Sequence, residues 1–388
     1  MNHRQRILAA LNGEATDRIP VHHIQFSGDA AAKILGREAL VGGAFLQWKQ
    51  INALWNGPDA HTEFLEQRRA DAIAIAENCE HDLLRLHYWG WPADEVPTRR
   101  IDGETFAFGD EQTGYTLQYR EDLELIVRTD LRPIEALPDP MSITEDWITE
   151  KIDAEQRGLD AGDSKLPIPL EVYRQCAADH PDYVLKMGTE TVFVDMQDAC
   201  ELTAAALWPD RFAELLMIRA TRIVGDIPAL AAAGFPANFA GMDVCTQTGP
   251  SISPDTFRQV VLPALTLIAD TCHDHGMKYV FGGDGNFWAL ADMMFHDIGV
   301  DAFFEVDRRA GMDLRELRRR HPHVTFIGNI AAQTLHTGTI DQVITETMDC
   351  LDVAHELGGV IVGCSNMIMP GTPIENIHAM LDCIRENR

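Results

Sequence analysis

Lys278-Tyr279-Val280-Phe281-Gly282-Gly283-Asp284-Gly285-Asn286 decides the fold class. Its first five residues read as a short strand, and the glycines with Asp284 then break it and leave a carboxyl at its C-terminal end. The same pattern recurs outward along the chain. Strands are predicted near 183–187, 237–241, 301–304, 324–328 and 359–362, each followed by a helical segment. Towards the N-terminus, Ile19-Pro20-Val21-His22-His23-Ile24-Gln25 and Ala72-Ile73-Ala74-Ile75-Ala76 supply two more. Eight short apolar strands alternating with helices predict a parallel (β/α)8 TIM barrel over residues 1–388, with reactive groups on the loops after the strands. A doubly wound open sheet is the alternative. It would normally carry a glycine-rich phosphate loop after an early strand, and the sequence has none.

The rest of the chain fits around that frame. Asn2 caps a first helix that carries Ile7, Leu8 and Leu11 on one face and stops at Gly13. Helical stretches fill 29–69. Between 97 and 131 the pattern turns to extended segments punctuated by Asp102-Gly103 and Thr113-Gly114, which predicts an inserted β-hairpin cap. Pro133, Pro138 and Pro140 end the cap, and a helix over 143–158 returns to the body.

Composition excludes whole classes of function. Lys plus Arg number 32 against 60 Asp plus Glu, a formal net charge of −28, so a polyanionic nucleic acid is not an expected partner. At 46% hydrophobic and 24% charged residues, the chain is neither a disordered acidic segment nor fibrous. No apolar run reaches the roughly 18 residues of a membrane span, and Met1-Asn2-His3-Arg4-Gln5-Arg6 opens a helix, not a secretory leader. A cytoplasmic protein is expected. The eight cysteines are scattered without a Cys-x-x-Cys pair, which predicts neither disulfides nor a zinc knuckle.

A barrel of this order would gather at its mouth His22, His23 and Gln25; Glu77 and Asn78; Glu190; Asp243; Asp284 and Asn286; Glu305; Asn329; and Cys364. Asp284 reads either as an Asp-Gly turn capping a helix near Phe287, or as a partly desolvated carboxyl that donates a proton or binds a metal. Cys364 is either a small buried hydrophobe or a strand-end ligand. His22 and His23 must point to opposite faces of their strand, so one at most faces the interior. Glu305 has Arg308 and Arg309 close behind it, which fits a structural ion pair as well as a substrate role. Glu190 and Asp243 carry the same two readings.

Several stretches together resemble the uroporphyrinogen decarboxylase superfamily, which includes corrinoid-dependent methyltransferases. They are Arg4-Gln5-Arg6-Ile7-Leu8-Ala9-Ala10-Leu11-Asn12-Gly13 with Asp17-Arg18-Ile19-Pro20-Val21, Ser253-Pro254-Asp255-Thr256-Phe257, Gly328-Asn329-Ile330, and Gly371-Thr372-Pro373-Ile374-Glu375-Asn376-Ile377. The resemblance implies the barrel again. It also exposes two departures. Where the decarboxylase carries Arg-Gln-Ala-Gly-Arg to hold substrate carboxylates, this chain has Gln25-Phe26-Ser27-Gly28-Asp29. Where the thiol-methylating branch carries His-x-Cys for zinc, it has Gly282-x-Asp284, with Cys364 left as the remaining ligand.

These departures point to methyl transfer out of a small methylated compound, such as an aryl methyl ether, onto a corrinoid held by a separate protein. In that reading Asp284, Glu190 and Glu305 are catalytic, while His22, His23, Gln25, Asp243, Asn286 and Asn329 bind substrate. Cys364 and Asp284 would hold any zinc ion, Trp89 and Trp91 roof the mouth, and the chain pairs as a homodimer. The alternatives left open are a thiol methyltransferase with an altered zinc site, a cofactor-free decarboxylase of a small carboxylate, and a silent corrinoid or tetrapyrrole binder.

Overall fold

A computed structural model describes residues 1–86, 90–110, 114–129 and 139–388. Its centre is a five-stranded parallel sheet in which Val360–Ile361, Thr325–Ile327, Ala302–Phe304, Lys278–Gly282 and Ala237–Gly241 lie side by side in that order. The chain is therefore a mixed α/β fold built on parallel strands. Leu83–Leu84 pairs in parallel with Val184–Leu185, and Gln25–Phe26 with Met367–Ile368. Further backbone hydrogen bonds link these pieces. Phe239 N donates to Met187 O (3.3 Å), Asp82 N to Val21 O (2.8 Å), and His22 N to Val362 O (2.9 Å).

Strand alternation sorts the core into two parts. Ile24, Leu83, Val184, Ala237, Phe239, Val280, Ala302, Phe304, Ile327 and Ile361 form one cluster with Ile7, Ala10 and Leu11 of the first helix, His3–Leu11. The intervening residues, such as Leu84, Leu185, Tyr279, Phe281, Phe303 and Phe326, belong to a larger cluster shared with the surrounding helices. The first helix has the expected Asn2 cap, completed by Gln5 as a capping box. Thr325 Oγ1 donates to Ala10 O (2.7 Å), which ties the helix to the strand starts.

Packing at the inner face is tight around Gly282. A Cβ there would lie 2.0 Å from Cε2 of Phe304. Gly282→Ala is therefore expected to cost about 1–3 kcal/mol, measured by urea denaturation, because the ring and the strand would have to move apart. A change under 0.5 kcal/mol would show that the Phe304 ring yields freely.

Two expectations need correction. Ala72–Ala76 is not a strand; it lies inside the helix Pro58–Asn78, and the strand in that region is Leu83–Leu84. Five residues of Ala and Ile fit either period. Over a longer stretch the buried set Phe64, Asp71, Ala72, Ile75 and Ala76 has helical spacing, alanine favours helix, and Pro58 opens it. Glu77 and Asn78 consequently sit exposed at a helix end and not after a strand. The helix expected from Phe287 also starts later: Trp288–Leu290 is a turn, and the helical geometry includes a π-helical stretch, Met293–Asp297.

The expected extended insertion is a four-stranded antiparallel sheet, Arg99–Arg100, Thr105–Phe108, Tyr115–Arg120 and Leu125–Arg128 in sequence order. It encloses its own apolar cluster: Phe106, Phe108, Leu117 and Tyr119 pack on Trp48 and Ile51, with Trp91 at the edge. Trp89, Thr113, Pro133 and Pro138 lie outside the described residues. The helix expected at 143–158 runs over Glu145–Ala161.

Candidate active site

Three carboxyl groups converge at the C-terminal ends of neighbouring strands. Asp243 follows Ala237–Gly241, Asp284 follows Lys278–Gly282, and Glu305 follows Ala302–Phe304. One oxygen from each lies within 4.8 Å of the others. The Asp284 loop is fixed by its backbone. Asp284 N donates to Asp243 Oδ1 (2.9 Å), and Asn286 N to Thr246 O (2.8 Å). Gly285, at φ +97°, lies so close to that neighbouring loop that a Cβ would meet Cys245 O at 2.7 Å. Glu305 takes φ +65°, a left-handed conformation unusual outside glycine, at the first residue beyond its strand.

Crowding and burial set the protonation. Burial, reinforced by Glu305, Asp243 and Asp307, pushes the Asp284 carboxyl up to about 8, against a hydrogen bond from Asn366 that favours the ionised form. Asp284 is thus an acid at neutral pH. Asn366 Nδ2 donates to Asp284 Oδ2, and Asn366 O accepts from the Cys364 thiol (3.3 Å). Asp284 is therefore held by a side chain and does not cap a helix. Burial also raises Glu305, while the ammonium of Lys186 opposes that shift.

Deeper on the inner face, the alternation that carries Val184 and Leu83 inwards carries Lys186 and Arg85 inwards as well. Lys186 Nζ lies 3.9 Å from the centroid of the Phe304 ring and has no hydrogen-bond partner among the described residues. Arg85 Nη1 donates to Ile24 O (2.8 Å). Burial, then the Arg85 charge, lowers the Lys186 ammonium well below its ordinary range, with Glu305 opposing. Sequence reasoning missed both cations and Asn366. A lysine two residues after an inward valine was the available signal for Lys186.

The two histidines divide as alternation requires. His22 shares the inward parity of Ile24; its Nδ1 donates to Leu83 O (3.1 Å), leaving the Nε2 lone pair enclosed and without a partner among the described residues. Burial keeps the His22 ring neutral. His23 takes the opposite parity. Its Nδ1 accepts from Cys364 N (3.0 Å) and its ring meets Phe26, so it holds two strands together.

The other expected site residues are placed as follows. Asn329 is buried and binds the Val306 and Met312 carbonyls, with Arg308 donating to its oxygen. Arg308 also reaches Asp349 (3.1 Å), so it does not form the anticipated pair with Glu305. Glu190 is 52% exposed, 3.5 Å from Lys165 Nζ, and outside the carboxylate cluster. Asn286 makes a local turn by accepting from Trp288 N (3.1 Å). Gln25 lies beside Gly42, where a Cβ would meet its Cγ at 3.1 Å.

A zinc ion fits this donor set poorly. The three convergent ligands are all carboxylate oxygens, whereas zinc sites draw on nitrogen and sulfur. The Cys364 thiol is fully buried, burial pushes it up to about 12, and it is not among the converging groups. An oxygen-preferring cation such as magnesium or manganese suits the set better.

The stretch that replaces the arginine segment is equally acidic in its surroundings. Ser27 caps the helix Gly28–Leu35, and Glu124, from the antiparallel sheet, accepts from Gly28 N (3.0 Å) and Asp29 N (2.6 Å). A carboxylate thus occupies this helix start.

Among the described residues, no helix is long and apolar enough to cross a membrane. No curated protein sequence matches the chain. Among solved structures, a methyltransferase from Methanosarcina mazei is similar over 100% of this chain and 99% of its own, with 19% identity and a TM-score of 0.63. A putative vitamin-B12-independent methionine synthase from Listeria monocytogenes overlaps 56% of this chain and 67% of its own, with 14% identity and a TM-score of 0.36. The family model described as uroporphyrinogen decarboxylase (URO-D) matches residues 190–387, a span that takes in Asp243, Asp284 and Glu305, and the chain belongs to that family.

Proposed function

We propose that this protein is a methyltransferase that takes a methyl group from a small methylated compound, an aryl methyl ether in the favoured case, and passes it to a corrinoid carried by a partner protein. The observation that carries the reading is the Asp284 carboxyl, kept in its acid form at neutral pH by burial and two neighbouring carboxylates. An aryl ether is a poor leaving group until its oxygen is protonated. A reduced corrinoid on the partner would supply the nucleophile that accepts the methyl carbon; on this chain, Asp284 would give its proton to the ether oxygen, which keeps the bonding pair as the O–CH3 bond breaks. Asn366, itself held by Cys364, orients Asp284, and Asp243 and Glu305 keep it protonated.

In this reading the parallel strands close into a (β/α)8 barrel with this site at its C-terminal mouth and the antiparallel sheet as a cap. Decarboxylation of a polycarboxylate is disfavoured, because Glu124 stands where a cationic clamp would be needed. The test is direct. Mixed with a reduced corrinoid, the protein should transfer methyl from methoxybenzoates, read by the cobalt absorption change. Absence of transfer from aryl ethers, methanol and methylamines alike would sink the proposal.

Metal content supplies a second check. The protein-donor reading predicts full activity in a metal chelator. Loss of activity there, restored by manganese or magnesium, would assign the three carboxylates to a cation instead.

A further inference from the structure

The mechanism above leaves two enclosed polar atoms unused. Among the described residues, Lys186 Nζ has no hydrogen-bond acceptor and lies over the face of Phe304, and His22 Nε2 offers a lone pair with no donor. Both lie on the inner face of the strands. An enclosed lysine nitrogen without an acceptor is costly, and an incoming carboxylate would supply that acceptor and favour the charged form of the lysine. We propose that Lys186 is the anchor for a carboxylate on the methyl donor, so that the substrates are methylated carboxylic acids and not neutral or cationic methyl compounds. This rests on, and sharpens, the methyl-transfer reading.

The arrangement along the inner face supports the assignment. Lys186 stacks on Phe304, the last residue of the strand, and Glu305, the next residue, joins Asp243 and Asp284 in the carboxyl cluster. Glu305 thus links the Lys186 side of the inner face to the carboxyl cluster. A small substrate bound across it would place its anionic group on Lys186 and present its methyl-bearing oxygen to the Asp284 proton. Attraction to Lys186 also selects against methylammonium compounds, whose charge the same end repels.

Titration calorimetry with 4-methoxybenzoate and its neutral match, 4-methoxybenzamide, tests the anchor without any corrinoid. The wild-type protein should prefer the carboxylate by about tenfold to a hundredfold, and Lys186→Met should remove that preference while leaving the amide unaffected. Lys186→Met should also raise Tm in the ligand-free protein, since it removes an unpartnered enclosed polar group; a lysine with a structural role would lower it. Lys186→Arg should keep part of the preference. Equal affinity for the two probes, or no binding of either, would overturn the inference and leave water as the completing partner. Carboxylate binding that depends on Lys186 without methyl transfer would support the anchor and sink only the methyl-transfer reading. Efficient transfer from neutral aryl ethers would do the reverse.

Discussion

Asp284→Asn is expected to lower methyl transfer by about 10²–10⁴-fold while leaving the fold intact. The amide keeps the shape of the side chain and the backbone bond from Asp284 N to Asp243, but it has no acidic proton to give. The wild-type pH profile carries the same signature. With the carboxyl raised to about 8, the acid form dominates below that pH, so the rate should hold through neutrality and fall as pH rises through about 8. Stability should follow the same group. The folded state holds a proton that the unfolded state releases near the ordinary aspartate value of 3.8, so native stability declines as pH climbs from about 4 to about 8. Above that window Asp284 is an ionised carboxylate crowded by two others, and Asp284→Asn should stabilise the protein by about 1–3 kcal/mol at pH 9. A flat rate profile from pH 6 to 10, together with unchanged turnover in Asp284→Asn, would remove this group from the mechanism.

The largest loss of stability is expected from Asp82→Ala, at about 3–5 kcal/mol in urea denaturation. Asp82 is fully buried and sits between remote parts of the chain. Its carboxylate accepts from Arg6 Nη1 (2.5 Å), His3 Nδ1 (2.9 Å) and Val21 N (3.1 Å), and from Arg388 Nη1 (3.4 Å) at the other end of the sequence. Truncation leaves Arg6 and Arg388, both nearly inaccessible, with enclosed positive charge and fewer partners. Asp82→Asn should fall between, since its amide oxygen still accepts from Val21 N. A loss below 1 kcal/mol for Asp82→Ala would show that the two arginines find other acceptors.

Of the eight strands predicted, the six from 183–187 onward coincide with strands among the described residues, because each is a short apolar run with a breaker at its end, as Lys278–Gly282 and Ala302–Phe304 illustrate; the first is predicted at 19–25, and only its last residue falls in the strand Gln25–Phe26. The second was misplaced because Ala72–Ala76 is too short to distinguish a period of two from one of 3.6. That error hid Arg85 too: with Leu83–Leu84 unrecognised, nothing indicated which face it occupies. The strand-end rule found Asp243, Asp284 and Glu305. It also proposed Asn329 and Glu190, which the fold uses for a carbonyl network and a surface ion pair.

By itself, the sequence determined the alternation of strands and helices, the acidic surface, and which carboxyls stand at strand ends, since those depend on local period and on breakers. Only the tertiary structure decided that Asn366 meets Asp284 across 82 positions, that Cys364 stays outside the carboxyl cluster, and that Lys186 has no hydrogen-bond partner among the described residues. Hydrogen bonding, desolvation and mutual repulsion act over a few ångströms. The distances between side chains exist only after the chain has folded.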